Sequence, residues 1–227
     1  MKYPFYDIIS VAAILSYFIP MLVVSLRKLW RDSFFLLFAA YWLTGGLVNF
    51  TDLLPGFSED LKSDIGVIYN LIDIPVILII FYYTSSSLMI RRYISFSLAL
   101  LIAFEIVNIL IYGLDYDALK YTLGPGIAIV LIVLTWEIVR YLQKIEHSNR
   151  QSAKVFIYAA LLFEYGTFTL IYIFDYFIAS ANSEDSFLIY YISTLIAICI
   201  ALPGYLSLKI KKDAAQPRLQ MQNSIDW

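Results

Sequence analysis

Among its 227 residues the chain has one cysteine and one histidine. Cys199 by itself excludes an intramolecular disulfide and a thiolate cluster. His147 by itself excludes bis-histidine haem and multi-histidine metal sites, and its polar neighbourhood reads as a solvated loop. Charge is scarce too. Asp, Glu, Lys and Arg make up 15% of the chain, against roughly 25% in soluble domains. A net charge of −2 gives no case for nucleic acid as a partner. Long polar stretches are also missing. The longest expected cytoplasmic loop, around Lys144 to Ala153, is too short to hold a kinase, cyclase or nucleotide-binding module.

Apolar residues dominate what remains. They form 61% of the chain and the mean hydropathy is +0.75. Seven runs stand out: 5–26, 33–54, 65–88, 93–114, 119–143, 153–178 and 186–208. Each is long enough to cross a hydrocarbon core of about 30 Å as a helix. None alternates with the two-residue period of an outer-membrane strand. The predicted fold is all-α: a polytopic bundle of seven transmembrane helices over residues 1–212, followed by a short disordered tail at 213–227. Its first partner is the lipid bilayer. The first run is too long for a cleavable leader, lacks a small-x-small site and ends in Arg27-Lys28-Leu29-Trp30-Arg31, so it reads as the first span.

The basic residues predict orientation. Arg27, Lys28 and Arg31 follow run 1, and Arg91-Arg92 follow run 3. Arg140, Lys144, Arg150 and Lys154 flank the turn after run 5, and Lys209, Lys211, Lys212 and Arg218 follow run 7. Of the cations, only Lys2, Lys62 and Lys120 lie on the other side, which carries Glu59-Asp60, Asp115, Asp117 and Glu184-Asp185. The positive-inside rule then puts the N-terminus outside and the C-terminus in the cytoplasm. The expected location is a cell membrane, with a bacterial inner membrane the best fit.

This layout is shared by two known classes, and neither is assigned. Its three-plus-one-plus-three arrangement resembles that of SWEET-class sugar transporters, without their proline–glutamine motif or proline placement. It also resembles microbial rhodopsins, but run 7 has no interior lysine, so a retinal Schiff base is not expected. The cofactor is otherwise unknown. A partial internal match exists. Asp64-Ile-Gly-Val-Ile-Tyr69 compares with Asp185-Ser-Phe-Leu-Ile-Tyr190, although Pro75 and Pro203 fall in opposite halves of their runs.

Three carboxylates sit deep inside the apolar runs: Asp73, Glu105 and Glu164. Counted from Asp64, Asp115 and Lys154 at about 1.5 Å per residue, all three fall roughly 14–15 Å deep, near the midplane. No Lys or Arg lies at comparable depth. A charge there costs about 3 kcal/mol on insertion scales. Such a group faces a cavity, carries a proton or holds a cation. Asn70 precedes Asp73 by three, Asn108 follows Glu105 by three, and Asn49 precedes Asp52 by three. Each pair therefore shares one helix face. Thr167 lies on the face of Glu164, and Tyr69, Tyr165 and Tyr190 are placed to line the same space. The expectation is one polar cavity in the outer half, with Asp73, Glu105 and Glu164 coupling to protons or cations and the amides, Thr167 and the tyrosines binding a small-molecule ligand. Glu137, one turn before Arg140, is expected to pair with it or with Arg92. Gly124-Pro125-Gly126 is expected to kink or break run 5, and Gly45-Gly46 to permit close helix packing.

The function these features favour is a proton- or cation-coupled transporter of a small solute. Two alternatives remain: a seven-helix sensor acting through a separate partner, and an intramembrane enzyme using a carboxylate pair.

Overall fold

The computed structural model describes residues 5–54, 56–114, 116–178 and 183–208; for 59, 116–118 and 183–185 it describes the backbone alone. The expected tail at 213–227 and the basic residues from Lys209 onward lie outside the described residues. Among the described residues eight α-helices follow one another: α1 (Tyr6–Ser16), α2 (Ile19–Leu26), α3 (Ser33–Phe50), α4 (Glu59–Thr84), α5 (Leu88–Tyr112), α6 (Tyr116–Leu142), α7 (Asn149–Phe177) and α8 (Ser183–Ser207). Helices α1 and α2 form one span, so the bundle has seven segments long and apolar enough to cross a membrane, Tyr6–Leu26 through Ser186–Ser207. The chain is a multi-pass, all-helical membrane protein.

Polar residues set the ends of the spans. Asp32 caps α3 by accepting from the Phe34 amide at 3.1 Å. Ser58 caps α4 and Ser87 caps α5. Ser148 and Gln151 form a reciprocal capping box that starts α7 at Asn149, four residues before its apolar run begins. Caps of this kind contribute about 1 kcal/mol each. Three serines also explain one departure from expectation. The third run was expected to reach 88, but its helix ends at Thr84. Ser85 is extended, and Ser87 already caps the next helix.

Proline acts differently at Pro125 and Pro20. The break expected in run 5 is absent: α6 continues through Gly124-Pro125-Gly126. The glycines there make room for neighbours instead. A Cβ on Gly124 would stand 2.7 Å from the Tyr172 hydroxyl, and one on Gly126 2.5 Å from Ile74 Cδ1. The break falls in run 1, where Tyr17 and Phe18 separate α1 from α2. Pro20, in the first turn of α2, has no amide hydrogen to give the preceding turn.

The turns after spans 1, 3 and 5 lie at one end of the bundle and are tied to their neighbours by side-chain bonds, the first of them to the end of span 7. Arg27 Nη1 donates to the Leu206 carbonyl at 2.5 Å. Arg150 holds Asp32 with two bonds, of 2.6 and 2.9 Å. The Ser85 hydroxyl donates to Glu137, which lies 3.6 Å from Arg140. This is the basic end of the bundle. At the opposite end Ser186 donates to Asp175 at 2.5 Å, and Lys120 lies over the Phe177 ring.

The core is aromatic and centred on α3. Phe35, Phe38 and Trp42 are fully buried. Phe34 and Phe38 meet Tyr158 of α7, and Phe38 also meets Phe81 of α4. Lipid solvates an apolar side chain about as well as a neighbouring helix does, so close packing and interhelical hydrogen bonds must hold the bundle together. Small residues allow that closeness. A Cβ on Gly46 would lie 2.7 Å from Tyr17 Cβ, as expected of the Gly45-Gly46 pair. One on Gly204 would lie 2.5 Å from the Ala153 carbonyl oxygen, so α8 meets the α7 backbone there. Helix α5 packs on α4 and α6 at the edge of the bundle. Its outer face, with Phe96 and Leu110, suits lipid.

Candidate functional site

Two of the three midplane carboxylates come together. Asp73 of α4 and Glu164 of α7 are both buried and lie close enough to interact through space. Among the described residues no lysine, arginine or histidine acts on either one. Neutral donors surround them. Trp42 Nε1 donates to Glu164 Oε2 at 3.1 Å. The Tyr165 hydroxyl donates to Asp73 Oδ2 at 2.8 Å. With its one proton committed there, Tyr165 accepts from Tyr41 at 2.8 Å. Adjacent residues of α3, Tyr41 and Trp42, thus meet adjacent residues of α7, Tyr165 and Glu164.

Asp73 is incompletely satisfied. Its Oδ1 is buried and has no hydrogen-bond partner. The hydroxyls of Tyr41 and Tyr69 stand near the carboxyl without reaching hydrogen-bond geometry to that oxygen. A buried acceptor left this way costs about 1–3 kcal/mol. A proton on Oδ1, or a donor from a ligand, removes that cost.

A second set of polar groups runs from the cluster toward the acidic end. Asn49 Nδ2 donates to the Tyr190 hydroxyl at 3.0 Å and to the Gly45 carbonyl at 2.8 Å. The Tyr190 and Tyr17 hydroxyls are 2.7 Å apart, and Tyr17 lies 3.1 Å from Thr194 Oγ1. One self-consistent direction is Asn49 to Tyr190 to Tyr17 to Thr194. Tyr69 stands between the two sets, within electrostatic reach of both Asp73 and Tyr190. Its hydroxyl occupies the space over Gly45, where a Cβ would approach it to 2.9 Å. The break between α1 and α2 carries Tyr17.

The remaining expected residues lie elsewhere. Glu105 is half-buried on peripheral α5, between the exposed Phe104 and Ile106. Only burial acts on its carboxyl, and neither Asp73 nor Glu164 does. The helix turn that carries it faces outward over most of its surface, which separates it from the cluster. Asn108 is buried on α5, three residues further on. Asn70 is half-buried and makes no side-chain hydrogen bond among the described residues. Thr167 bonds the Phe163 carbonyl of its own helix at 3.0 Å, as threonine commonly does within spans. Glu137 pairs with Arg140 at the basic end, as its spacing implied.

Sequence reasoning missed Tyr17, Tyr41, Trp42 and Thr194. A signal for one existed. Tyr41, Gly45 and Asn49 recur every fourth residue, which places a hydroxyl, a gap and an amide on one stripe of α3. Trp42, next to that stripe, has an indole N–H that needs a partner when buried.

The chain matches no family model, no curated protein and no solved structure. The cluster therefore carries the functional argument by its own chemistry. Its nearest groups present hydrogens to the carboxylates. That arrangement favours gain and loss of a proton, or capture of a polar solute, over ligation of a metal, which needs lone pairs.

Proposed function

We propose that this protein is a proton-coupled transporter of a small polar solute, with Asp73 and Glu164 as the coupling pair. The observation that carries the reading is the pair itself: two interacting carboxylates buried at mid-bundle, supplied with neutral donors and no cation, one oxygen left without a partner. In an apolar medium such a pair changes charge only when the site opens to water, so proton binding and access to the site are coupled. The hydroxyls of Tyr190, Tyr17 and Tyr69 lead toward the acidic end, taken as the outer face by the positive-inside rule. They offer hydrogen-bonding positions to a polar solute. The break at Tyr17 provides a pivot for the half-span that carries one of them.

Proteoliposomes under an imposed pH gradient test this with a panel of labelled sugars and amino acids. Gradient-driven accumulation of at least one solute is expected. Asp73→Asn and Glu164→Gln should abolish it while leaving counterflow exchange of the same solute. Saturable binding with no flux would refute transport and identify a sensor. Accumulation unchanged in both variants would remove the pair from the mechanism.

A further inference from the structure

A second site lies at the basic end. A cavity of about 250 Å³ opens between the α4–α5 turn, the last turn of α6 and the first turns of α7. It has room for a tetrahedral anion and several waters, at about 30 Å³ per water. Arg140, Lys144, Arg150 and Lys154 line it, with Glu137 as the acid among the lining residues. Topology accounts for cations at this end of the bundle, but not for four of them on one cavity. Arg91, Arg92 and Arg27 sit at the same end and do not line it.

The commitments of the four differ. Arg150 is held by Asp32 through two bonds. Arg140 has a loose contact of 3.6 Å with Glu137, whose other oxygen accepts from Ser85. Lys144 has no carboxylate partner among the described residues. Lys154 is half-buried with its ammonium 4.4 Å over the Phe34 ring; it makes no direct ion pair among the described residues and lies within electrostatic reach of Arg150 and Lys144 and of the carboxylates of Asp32 and Glu137. Taken together, Arg140, Lys144, Arg150 and Lys154 face two carboxylates, Glu137 and Asp32, so positive charge remains in excess across a partly desolvated space. The Ser86 hydroxyl, also on the cavity, has no protein partner among the described residues. The first turn of α7 adds the positive end of a helix dipole, and the last turn of α6 adds a negative end, so the side-chain cations decide the sign.

We propose that this cavity binds a phosphate-class anion. Cations reach it from α6, the α6–α7 turn and α7, and a hydroxyl from the α4–α5 turn. Donors from several directions match the oxygens of a tetrahedral phosphate better than the two coplanar oxygens of a carboxylate. The phosphate belongs either to the headgroup of an anionic phospholipid at that membrane face or to a soluble phosphate compound.

The test uses the full chain and two probes. In detergent, inorganic phosphate is titrated against chloride at matched ionic strength while the thermal midpoint is followed. In nanodiscs of phosphatidylcholine with or without phosphatidylglycerol, lipid retained on ejection is counted by native mass spectrometry. Lys144→Gln with Lys154→Gln removes two charges from the cavity, and Arg31→Gln with Arg92→Gln, both exposed, removes two from the same end outside it. Saturable stabilisation by phosphate, weakened on the order of tenfold in the lysine variant and unchanged in the arginine variant, supports a soluble ligand. Phosphatidylglycerol retained by wild type and by the arginine variant, and lost by the lysine variant, supports a lipid headgroup. Equal loss in both variants, or no response to either probe, overturns the proposal. Lys144→Gln alone, at an exposed position, keeps the test decisive if the double variant fails to fold, with a weaker loss of the same selectivity expected.

Discussion

Among the described residues Tyr165 is the one donor within hydrogen-bond geometry of Asp73, with the Tyr41 and Tyr69 hydroxyls nearby, and it also accepts from Tyr41, so removing its hydroxyl tests the cluster at its centre. Tyr165→Phe keeps the ring, which packs edge-on against Phe168. It leaves Asp73 without a donor at either oxygen and leaves the buried Tyr41 hydroxyl unpaired. Stranded buried groups cost about 1–3 kcal/mol in water-soluble proteins. Intramembrane hydrogen bonds average nearer ~0.6 kcal/mol, because the unfolded state in the bilayer also finds partners. A loss of about 1–2 kcal/mol is therefore expected from the single variant. Pairing it with Asp73→Leu closes a double-mutant cycle and isolates the interaction. A neutral carboxyl predicts a coupling of about 0.5–1 kcal/mol, and an ionised one about 1.5–3 kcal/mol. The size of the coupling thus reports the charge state that the bundle imposes. Unfolding of the detergent-solubilised protein by rising SDS fraction, followed by tryptophan fluorescence, supplies the four stabilities. A coupling below about 0.3 kcal/mol, the usual error of additivity, would mean that the two groups do not interact, and the argument for an integrated cluster would fail.

Three other outcomes follow from the same structure. Gly204→Ala should cost about 1–3 kcal/mol by forcing α8 away from the α7 backbone, whereas Gly66→Ala, with open space at its Cβ, should be neutral or slightly stabilising; thermal midpoints in detergent compare them. Asp32 is partly buried, which disfavours its charge, yet the Arg150 hydrogen bonds and charge and the Phe34 amide win and hold its carboxyl below the usual range. Its stabilisation is therefore complete above the unfolded value of about 3.9 and is lost as pH falls through the lower folded value, so Asp32→Asn should cost about 1–2 kcal/mol at pH 7 and progressively less in acid, as pH-dependent melting will show. A reporter active only in the cytoplasm, fused after Trp227, should give signal, and one active only outside should be silent; the reverse would invert the assignment of the acidic end as the outer face.

Some of the site was legible before folding, and particular residues show why. Asp73 and Glu164 stand out because an ionisable group in an apolar run needs a stated reason, and that rule requires no tertiary knowledge. Glu105 satisfies the same rule and still lies apart, since depth along a helix says nothing about which way its face turns. The hydrophobic pattern of run 4 is apolar on all sides, so the peripheral position of α5 was not encoded in any periodicity. Tyr69 and Tyr190 were matched by their spacing from Asp64 and Asp185, and both stand within electrostatic reach of Asp73 and Glu164 from α4 and α8. Trp42 is not legible in the same way, because a tryptophan that packs and one that donates to a buried acid look alike in sequence.

By itself the sequence determined that this is a seven-span helical membrane protein, where each span lies to within a few residues, and which turns share the basic end. Those properties depend on composition and on charge counted along the chain, which the bilayer reads segment by segment. Only the tertiary structure decided that Asp73 and Glu164 meet while Glu105 does not, that the break falls at Tyr17 and not at Pro125, and that four cations surround one cavity. Those depend on helix rotation and on close approach at Gly46, Gly124, Gly126 and Gly204. In a medium without a hydrophobic force between helices, steric fit and a few hydrogen bonds fix rotation, and both are properties of pairs of residues distant in the chain.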